Sequence, residues 1–154
     1  MVTTQLATVG GGCFWCIEAA FNMVEGVINA TSGYADGHLE NPGYQDVSSG
    51  QSGHAEVVQI EFEPAIISYK KLLTLFFHLH DPTQLNRQGN DIGSQYRSTI
   101  LCHDKKQLVI AKQFISLLEH SDLWQQPVVT LVKILYKFYP AEDYHQQYAR
   151  QNNN

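Results

Sequence analysis

Two cysteines separated by two aromatic residues form the segment of this sequence best suited to chemistry. The segment Cys13–Cys16 follows three glycines, Gly10–Gly12, and the run as far as about Met23 predicts a helix that Gly26 would end. At the N-terminus of a helix the unpaired N–H groups and the helix dipole favour a thiolate over a thiol. The glycines allow a sharp turn and leave room for a reactant beside the sulfur. We therefore expect Cys13 to be ionised more readily than an ordinary cysteine.

Cys16 is three residues from Cys13, so both side chains lie over the same face of the predicted helix. A disulfide between the two sulfurs is within reach. The alternative is that both are small apolar residues of the core, which is common for cysteine. A glycine triplet followed by C-x-x-C at a turn from strand to helix is typical of a reactive site.

Zinc binding and phosphate binding are two further alternatives for this segment. A zinc site would need two more ligands, which His78 with His80, or Cys102 with His103, could supply. Neither pair has the spacing of a zinc knuckle. A phosphate-binding loop is disfavoured because no Gly-Lys-Ser/Thr follows the glycines.

A strand predicted over His54–Phe62 carries the carboxylate that is best placed to act as an acid. Side chains alternate along a strand, so Glu56 shares the more apolar face with Val58, Ile60 and Phe62. A carboxyl group partly desolvated beside apolar groups has a raised pKa and can stay protonated near neutral pH. Glu56 is therefore a candidate general acid. The alternative is a carboxylate in water beyond the sheet edge, with an ordinary pKa.

Two long polar loops, predicted over residues 36–53 and 83–95, carry the remaining polar candidates. Tyr44 and Tyr96 lie where the loops are anchored, as hydroxyl donors or as half-buried packing residues. Asp91 lies among glycines, where a turn residue bonded to its own backbone is typical.

Cys102 lies in a strand predicted over Tyr96–His103. Six residues of strand place it roughly 20 Å from Tyr96. If Tyr96 lines the reactive site, Cys102 does not easily reach Cys13. We therefore expect Cys102 to be a buried structural thiol.

Composition and charge restrict the classes to which the chain can belong. Its 154 residues fit one domain, and a hydrophobic share of 44% excludes wholesale disorder. A net charge of −5 disfavours nucleic acid and anionic membranes as partners. Three cysteines, no visible signal peptide and no apolar run near the ~20 residues of a membrane span predict a cytoplasmic protein. We expect a single catalytic domain over residues 1–154, monomeric and without a metal or cofactor.

The predicted elements alternate between strands and helices. Strands are predicted over Leu6–Val9, Val27–Ala35, His54–Phe62, Tyr96–His103 and Val128–Tyr139. Helices are predicted over Cys13–Met23, Ser68–His80, Lys105–His120 and Ala141–Arg150. The alternation predicts an α/β (α+β) sandwich of two or three layers. Of these we expect a two-layer sandwich of a mixed sheet with split βαβ, ferredoxin-like units, long loops and an extended C-terminal segment.

Several short motifs follow one another in order between about Val9 and Ser98. They are Gly12-Cys13-Phe14-Trp15, Gly33-Tyr34-Ala35, Asn41-Pro42 with Tyr44, Gly53-His54-Ala55-Glu56, and the stretch from Asp81-Pro82-Thr83 through Asn90-Asp91 to Gln95-Tyr96-Arg97-Ser98. Together they resemble the signature of the A-class peptide methionine sulfoxide reductases. The resemblance implies an α/β sandwich and reduction of the S epimer of methionine sulfoxide, free or in proteins.

The resemblance also implies a role for each matching residue. Cys13 would be the nucleophile that attacks the sulfoxide sulfur and becomes a sulfenic acid. Phe14 and Trp15 would form an apolar pocket for the substrate methyl group.

The polar residues of the motifs would act on the sulfoxide oxygen, which is a poor leaving group until it is protonated. Glu56 would supply the proton. Tyr44 and Tyr96 would donate hydroxyl hydrogen bonds to the same oxygen, and Asp91 would help to hold the substrate or an ordered water.

The chain departs from a common pattern of that family. Many members carry resolving cysteines near the C-terminus, whereas here no cysteine follows Cys102. We therefore predict that Cys16 condenses with the sulfenic acid of Cys13 to form a disulfide. Thioredoxin or another dithiol would then restore the enzyme.

Two other functions are compatible with the sequence. A thioredoxin-like disulfide oxidoreductase also places C-x-x-C at a turn from strand to helix, and Pro127 could stand in for the cis-proline of such folds. That activity requires neither Glu56 nor the two tyrosines. A non-catalytic module could bind methionine-containing peptides through Phe14 and Trp15.

Overall fold

A computed structural model describes residues 3–146 of the chain, which form a six-stranded main sheet with helices on one side and a separate two-stranded sheet. In chain order the elements are β1 (Gln5–Gly10), α1 (Phe14–Asn22), β2 (Val27–Ala35), α2 (Tyr44–Ser48), β3 (Ala55–Phe62), α3 (Tyr69–Leu79), β4 (Arg87–Gln88), β5 (Asp91–Ile92), β6 (Thr99–Cys102), α4 (Lys105–Glu119), β7 (Leu131–Ile134) and β8 (Phe138–Pro140). Two 3-10 turns, Ser94–Tyr96 and Asp143–His145, complete the described residues.

The main sheet is built from two interleaved split βαβ units. Its strand order is β7-β6-β1-β3-β2-β8, and every neighbouring pair is antiparallel except β6 with β7. β3 therefore lies between the parallel strands β1 and β2, which α1 connects. β1 likewise lies between β3 and β6. The ferredoxin-like arrangement predicted from the sequence is confirmed.

Alternation along β3 separates the two faces of the sheet, as predicted. Val58, Ile60 and Phe62 are fully buried against the helices, together with residues of α1, α3 and α4. Ala55 and Val57 belong to a smaller cluster on the opposite face. The helices therefore form one layer over one face, which is the two-layer form of the predicted sandwich.

Both long amphipathic helices begin at the residues that the sequence indicates. The Ser68 side chain accepts a hydrogen bond from the N–H of Lys71 at 3.1 Å. The Asp104 side chain accepts one from the N–H of Gln107 at 2.8 Å, while the Gln107 side chain accepts one from the N–H of His103. These bonds satisfy N–H groups that have no partner within the helix. Within residues 3–146, no helix is long and apolar enough to cross a membrane.

The single strand predicted over Val128–Tyr139 is wrong. The chain instead forms β7 beside β6 and β8 beside β2, at opposite edges of the sheet. Three residues join them, a span of about 14 Å at most, whereas five spacings in a flat sheet would need about 24 Å. The sheet therefore curls toward the face without helices, where Leu135 and Phe138 pack over small buried residues. Strand propensity does not show where a chain passes from one neighbouring strand to another, so the sequence pattern predicts one continuous strand.

Four other predictions differ from the structure. The first loop contains the short helix α2, and the second contains the hairpin β4–β5. The strand predicted to begin at Tyr96 begins at Thr99, because Tyr96 lies in a 3-10 turn whose N–H bonds to the oxygen of Gly93. The separation predicted between Tyr96 and Cys102 assumed one continuous strand, so that prediction does not hold. Of the helix predicted over Ala141–Arg150, residues 143–145 form a 3-10 turn and residues 147–150 lie outside the described residues.

Candidate active site

Cys13 is the N-cap residue of α1, half-buried at the turn that leaves β1. Two glycines shape this turn. A Cβ at Gly10 would lie 2.5 Å from the carbonyl oxygen of Glu56, so only glycine lets β1 end this close to β3. Gly12 has φ +88°, a left-handed conformation that favours glycine, and its N–H bonds to the oxygen of Tyr96 at 3.1 Å. The turn is thereby tied to two of the predicted site residues.

Glu56 lies under the beginning of α1, with 2% of its surface exposed. Its Oε1 accepts a hydrogen bond from the N–H of Phe14, the residue after Cys13, at 3.2 Å. Burial raises the pKa of Glu56 to about 7; the bond from Phe14 lowers it, and the charge of Asp91 raises it further. The predicted raised pKa is confirmed, and the alternative of a solvated carboxylate is wrong. Near neutral pH this group can either hold or release a proton.

The Cys13 thiol is harder to ionise than the helix position alone suggests. Burial raises its pKa to about 12, although the backbone N–H of Trp15 lowers it. Negative charge on Glu56, Cys16 and Asp91 raises it further. The expectation that the Cys13 thiol ionises readily is therefore wrong. Desolvation outweighs the helix N-terminus, and it could not be estimated from the local sequence.

Tyr44 and Tyr96 reach the same site from different elements. Tyr44 begins α2 and is half-buried, and burial followed by the charges of Glu56 and Cys13 raises its pKa. Burial and the charge of Glu56 raise the pKa of Tyr96 to about 12. Both phenols therefore keep their protons at neutral pH and can donate hydrogen bonds. The structure brings both hydroxyl groups within electrostatic range of the cysteine and the buried carboxyl.

Arg97 holds the turn that carries Tyr96. Its guanidinium group donates to the oxygen of Ser94 at 2.8 Å, to the oxygen of Gly53 at 3.0 Å, and to both the backbone and side chain of Asp36 at 3.2 Å. Gly53 leads into β3, so these bonds set the position of Tyr96 relative to Glu56. Asp36 also pairs with Lys133 at 2.9 Å.

Asp91 is held toward the site by the small hairpin β4–β5. Asp91 pairs with Gln88 across the two strands, so their side chains lie on the same face. The Gln88 side chain lies against Gly12, and its amide makes two hydrogen bonds to the backbone of Asp81, at 2.9 and 2.6 Å. The exposed Asp91 carboxylate acts electrostatically on Cys13, Glu56 and both tyrosines. Its role in holding the substrate or a water stays a prediction.

Phe14 and Trp15 form an aromatic group at the first turn of α1. Phe14 is buried against Tyr34, with ring centroids 5.7 Å apart, while Trp15 is half-buried and tilted 43° to it. Trp15 donates its indole N–H to Nδ1 of His145 at 3.0 Å, and the two rings stack. Trp15 is only partly buried, so part of an apolar ring stays accessible two residues from Cys13.

His145 and Glu142 are parts of this site that the sequence did not reveal. Glu142 accepts hydrogen bonds from the hydroxyl of Tyr34 at 2.9 Å, the N–H of Tyr44 at 3.0 Å and the hydroxyl of Tyr144. The sequence predicts a helix over Ala141–Arg150, whereas Asp143–His145 form a 3-10 turn that brings both residues to the site. The useful signal is the cluster of acidic, aromatic and histidine side chains directly after Pro140, which is unusual for a surface helix.

The three cysteines have different surroundings and all are free. Cys16 is exposed on α1, and its charge acts on Cys13. Cys102 is fully buried, with its sulfur 3.9 Å from the hydroxyl of Tyr69, so the prediction of a buried thiol is confirmed. Burial raises the pKa of the Cys102 thiol.

The residues named for zinc do not converge. His80 bonds to Phe76 and Ser98, while His78 bonds to the oxygen of Thr74 on the exposed side of α3. No group of three potential metal ligands lies together within residues 3–146. Nothing in the described part of the chain supports the zinc alternative.

These residues can reduce a substrate in which a thiol attacks a polarisable atom while a neighbouring atom accepts a proton. A thiol, a carboxyl group with a pKa of about 7 and two phenol donors meet at one site. The thiol supplies the electron pair, the carboxyl supplies a proton, and the phenols stabilise developing negative charge on oxygen.

Comparison with known proteins identifies relatives over almost the whole chain. A family model described as peptide methionine sulfoxide reductase matches residues 5–154. A peptide methionine sulfoxide reductase MsrA from Leptospira borgpetersenii is 54% identical over 148 residues, covering 96% of this chain and 83% of the relative. One from Natronomonas pharaonis is 51% identical over 149 residues, covering 97% and 84%.

Solved structures give the same result. The reduced form of Mxr1 from Saccharomyces cerevisiae has a TM-score of 0.92 at 31% identity, covering 98% of this chain and 87% of that one. Methionine sulfoxide reductase A of Corynebacterium diphtheriae has a TM-score of 0.86 at 31% identity, covering 97% and 76%. Mxr1 in complex with Trx2 shares the fold, with a TM-score of 0.66 at 23% identity over 95% of this chain and 85% of that one. The match to the family model over residues 5–154 and the identity to these relatives show that the chain belongs to the peptide methionine sulfoxide reductase family.

Proposed function

We propose that this chain reduces the S epimer of methionine sulfoxide, free or in proteins, and that residues 1–154 act as a single catalytic domain. The observation that carries the proposal is the buried Glu56 carboxyl bonded to the N–H of Phe14, the residue next to Cys13. A proton donor on β3 is thereby held against the turn that carries the thiol. This is the pair that cleavage of an S–O bond requires.

Substrate binding begins in the apolar surface. Phe14 and Trp15 contact the methyl group, and the sulfoxide oxygen points toward Glu56, Tyr44 and Tyr96. Asp91 holds the polar part of the substrate or an ordered water. An epimer with methyl and oxygen exchanged would put the oxygen against the aromatic rings, where it finds no donor.

The chemical step uses one proton held between two residues. A sulfoxide oxygen that accepts a hydrogen bond from Glu56 favours the protonated carboxyl, and loss of that negative charge lowers the pKa of Cys13. The Cys13 thiolate bonds to the sulfoxide sulfur while the oxygen takes the Glu56 proton. The resulting OH group passes from the substrate sulfur to the Cys13 sulfur, so the substrate S–O bond breaks, and the bond between the two sulfurs breaks as methionine leaves. The products are methionine and a sulfenic acid on Cys13. The sulfur of the substrate is reduced by two electrons and that of Cys13 is oxidised by two.

Regeneration needs a second thiol and then a dithiol. Cys16 attacks the sulfenic sulfur, water leaves, and a Cys13–Cys16 disulfide forms. A dithiol such as thioredoxin then reduces this disulfide and is itself oxidised to one. Mxr1, a protein of the same fold, forms a complex with Trx2. An exposed Cys16 makes such a disulfide accessible to a protein reductant.

Three further proposals concern the location and the partners of the protein. Its three free cysteines are compatible with a reducing compartment, and a cytoplasmic location stays a prediction. The monomeric state also stays a prediction. A net charge of −5 supports the prediction that neither nucleic acid nor a membrane is a partner.

Separate S and R epimers of a methionine sulfoxide substrate, each incubated with dithiothreitol, test the proposal. We expect consumption of the S epimer alone. Consumption of the R epimer, or of neither, would contradict it. The Cys13→Ser variant should abolish turnover, whereas a module that only binds methionine-containing peptides would keep its function.

A further inference from the structure

His145 is in contact with every aromatic residue at the beginning of α1 and α2. Its ring centroid lies 5.3 Å from that of Phe14, 5.5 Å from Trp15, 4.6 Å from Tyr44 and 4.2 Å from Tyr144. Only 2% of its surface is exposed. His145 is therefore buried among the aromatic residues that begin α1 and α2.

The hydrogen bond to Trp15 fixes the chemical form of the imidazole. Nδ1 accepts the indole N–H at 3.0 Å, so Nδ1 carries no proton and Nε2 does. Burial lowers the pKa of His145, against the charge of Glu142, so the neutral ring is the form present near neutral pH. Within the described residues, Nε2 has no hydrogen-bond partner. The bond to Trp15 therefore orients the ring.

The backbone that carries His145 is itself fixed to the site. Its N–H bonds to the oxygen of Glu142 at 2.9 Å, and the Glu142 carboxylate binds Tyr34 and the N–H of Tyr44. Although burial alone would raise it, the hydrogen bonds from Tyr44, Tyr34 and Tyr144 bring the pKa of Glu142 below its usual range. The ionised Glu142 therefore holds the beginning of the 3-10 turn, and the neutral His145, which accepts the Trp15 bond, lies at its end.

We propose that His145 is a positioning residue for substrate binding: its Nδ1 sets the orientation of the Trp15 indole and so the shape of the methyl pocket. The proposal rests on the proposed function, in which Trp15 contacts the substrate methyl group. Other staggered rotamers of the Trp15 side chain would each leave a different space beside Cys13, and the bond to Nδ1 favours the one observed. Fixing one rotamer in advance lowers the cost of binding.

The first test compares two replacements of His145. In His145→Asn the amide oxygen stands near the position of Nδ1 and can accept the indole N–H, whereas His145→Leu removes the Nδ1 acceptor. We expect KM for the S epimer to rise about tenfold in His145→Leu, with kcat changed less than about threefold, the effect of about one buried hydrogen bond. His145→Asn should restore KM to within about threefold. His120→Leu, an exposed histidine at the end of α4, is the matched control and should leave KM unchanged.

The second test asks whether His145 acts through the indole. Trp15→Phe keeps an aromatic ring but removes the N–H donor. If His145 acts through that donor, His145→Leu should add little to KM in the Trp15→Phe background, so the two effects are not additive. Additive effects on KM, or a fall in kcat with unchanged KM, would overturn the proposal.

A spectroscopic measurement separates this proposal from the proposed function. Trp124→Phe leaves Trp15 as the one tryptophan of the two in the sequence, and its indole N–H resonance can be followed without substrate. We expect a downfield, hydrogen-bonded resonance in this background and in His145→Asn, and an upfield shift in His145→Leu. An unchanged resonance in His145→Leu would refute the role of His145. Failure of the Trp124→Phe protein to reduce either epimer, with this shift still observed, would instead refute the proposed function.

Discussion

The Oε1 atom of Glu56 lies 3.2 Å from the backbone nitrogen of Phe14, so the carboxyl group caps the helix that Cys13 begins. Cys13 itself makes no side-chain cap bond. The acid on β3 and the nucleophile at the turn after β1 are thereby connected through the peptide unit between Cys13 and Phe14. The first two predictions follow from this connection.

Replacing Glu56 by Gln removes the proton donor but keeps the shape of the side chain. We expect kcat/KM for the S epimer to fall by ~10²-fold or more. Removal of the negative charge should also lower the pKa of Cys13, which thiol alkylation against pH measures. Glu61→Gln, a half-buried carboxylate on the other face of β3, is the control. Unchanged activity in Glu56→Gln would rule out the role of acid.

The rate of sulfenic acid formation should depend on pH through Glu56. Below its pKa of about 7 both Glu56 and Cys13 are protonated, so the site lacks a thiolate. Above it one proton remains, and the reactive form, with protonated Glu56 and ionised Cys13, is one arrangement of that proton. We expect the single-turnover rate to rise through pH 7 and then level off, and this inflection to disappear in Glu56→Gln. A rate that falls as pH rises through 7 would contradict the shared proton.

Cys16 should form the disulfide with Cys13 after one turnover. One equivalent of substrate should reduce the count of free thiols from three to one, and peptide mapping should find the Cys13–Cys16 bridge. Cys16→Ser should still release one methionine per chain in the absence of reductant, but it should accumulate the sulfenic acid. Cys102→Ser is the matched control and should behave as the unaltered chain. A Cys13–Cys102 bridge would refute the assignment.

Gln88 should position Asp91 without touching the substrate. Gln88→Ala removes two hydrogen bonds to the backbone of Asp81 and the contact with Gly12. We expect KM to rise about threefold to tenfold, because the two partly buried bonds together contribute about 1 kcal/mol to the position of the hairpin. The control is Arg87→Ala, on the opposite face of β4, which should leave KM within about twofold. Equal effects of the two variants would remove this role.

His80 should make stability depend on pH below neutrality. It is held between the oxygen of Phe76 and the hydroxyl of Ser98, and burial lowers its pKa to about 4. Between pH 6.5 and 4 the unfolded chain binds a proton at His80 that the folded chain does not, so the free energy of unfolding falls as pH falls. The loss should reach roughly 2 to 3 kcal/mol at pH 4.

Urea unfolding of His80→Asn against pH measures the dependence that His80 causes. This variant should show a flatter fall in stability between pH 6.5 and 4. His78→Asn, an exposed neighbour, should keep the slope of the unaltered chain. The same slope in His80→Asn would show that other groups cause it.

The layout of the sheet and the place of Glu56 could be predicted because both follow from local rules. Alternation along His54–Phe62 put Glu56 on the core face, and the glycine triplet placed Cys13 at a helix start. The burial of Cys13 could not be predicted, because it comes from residues distant in sequence. That burial reversed the expected direction of its pKa.

The end of the chain was the least predictable part for a related reason. Residues 128–139 have the composition of one strand, but the two halves pair with different edges of the sheet. Pairing at an edge depends on which strand is left unpartnered there, and no local pattern carries that information. The roles of Glu142 and His145 stayed hidden for the same reason, since both depend on residues from the first third of the chain.

The bond between Trp15 and His145 joins residues 130 positions apart. During synthesis on a ribosome the thiol and its aromatic neighbours emerge long before the histidine does. A nascent chain can therefore form the first strands and α1 and still lack a finished pocket. We expect the nascent chain to acquire reductase activity only after the 3-10 turn at Asp143–His145 has been synthesised.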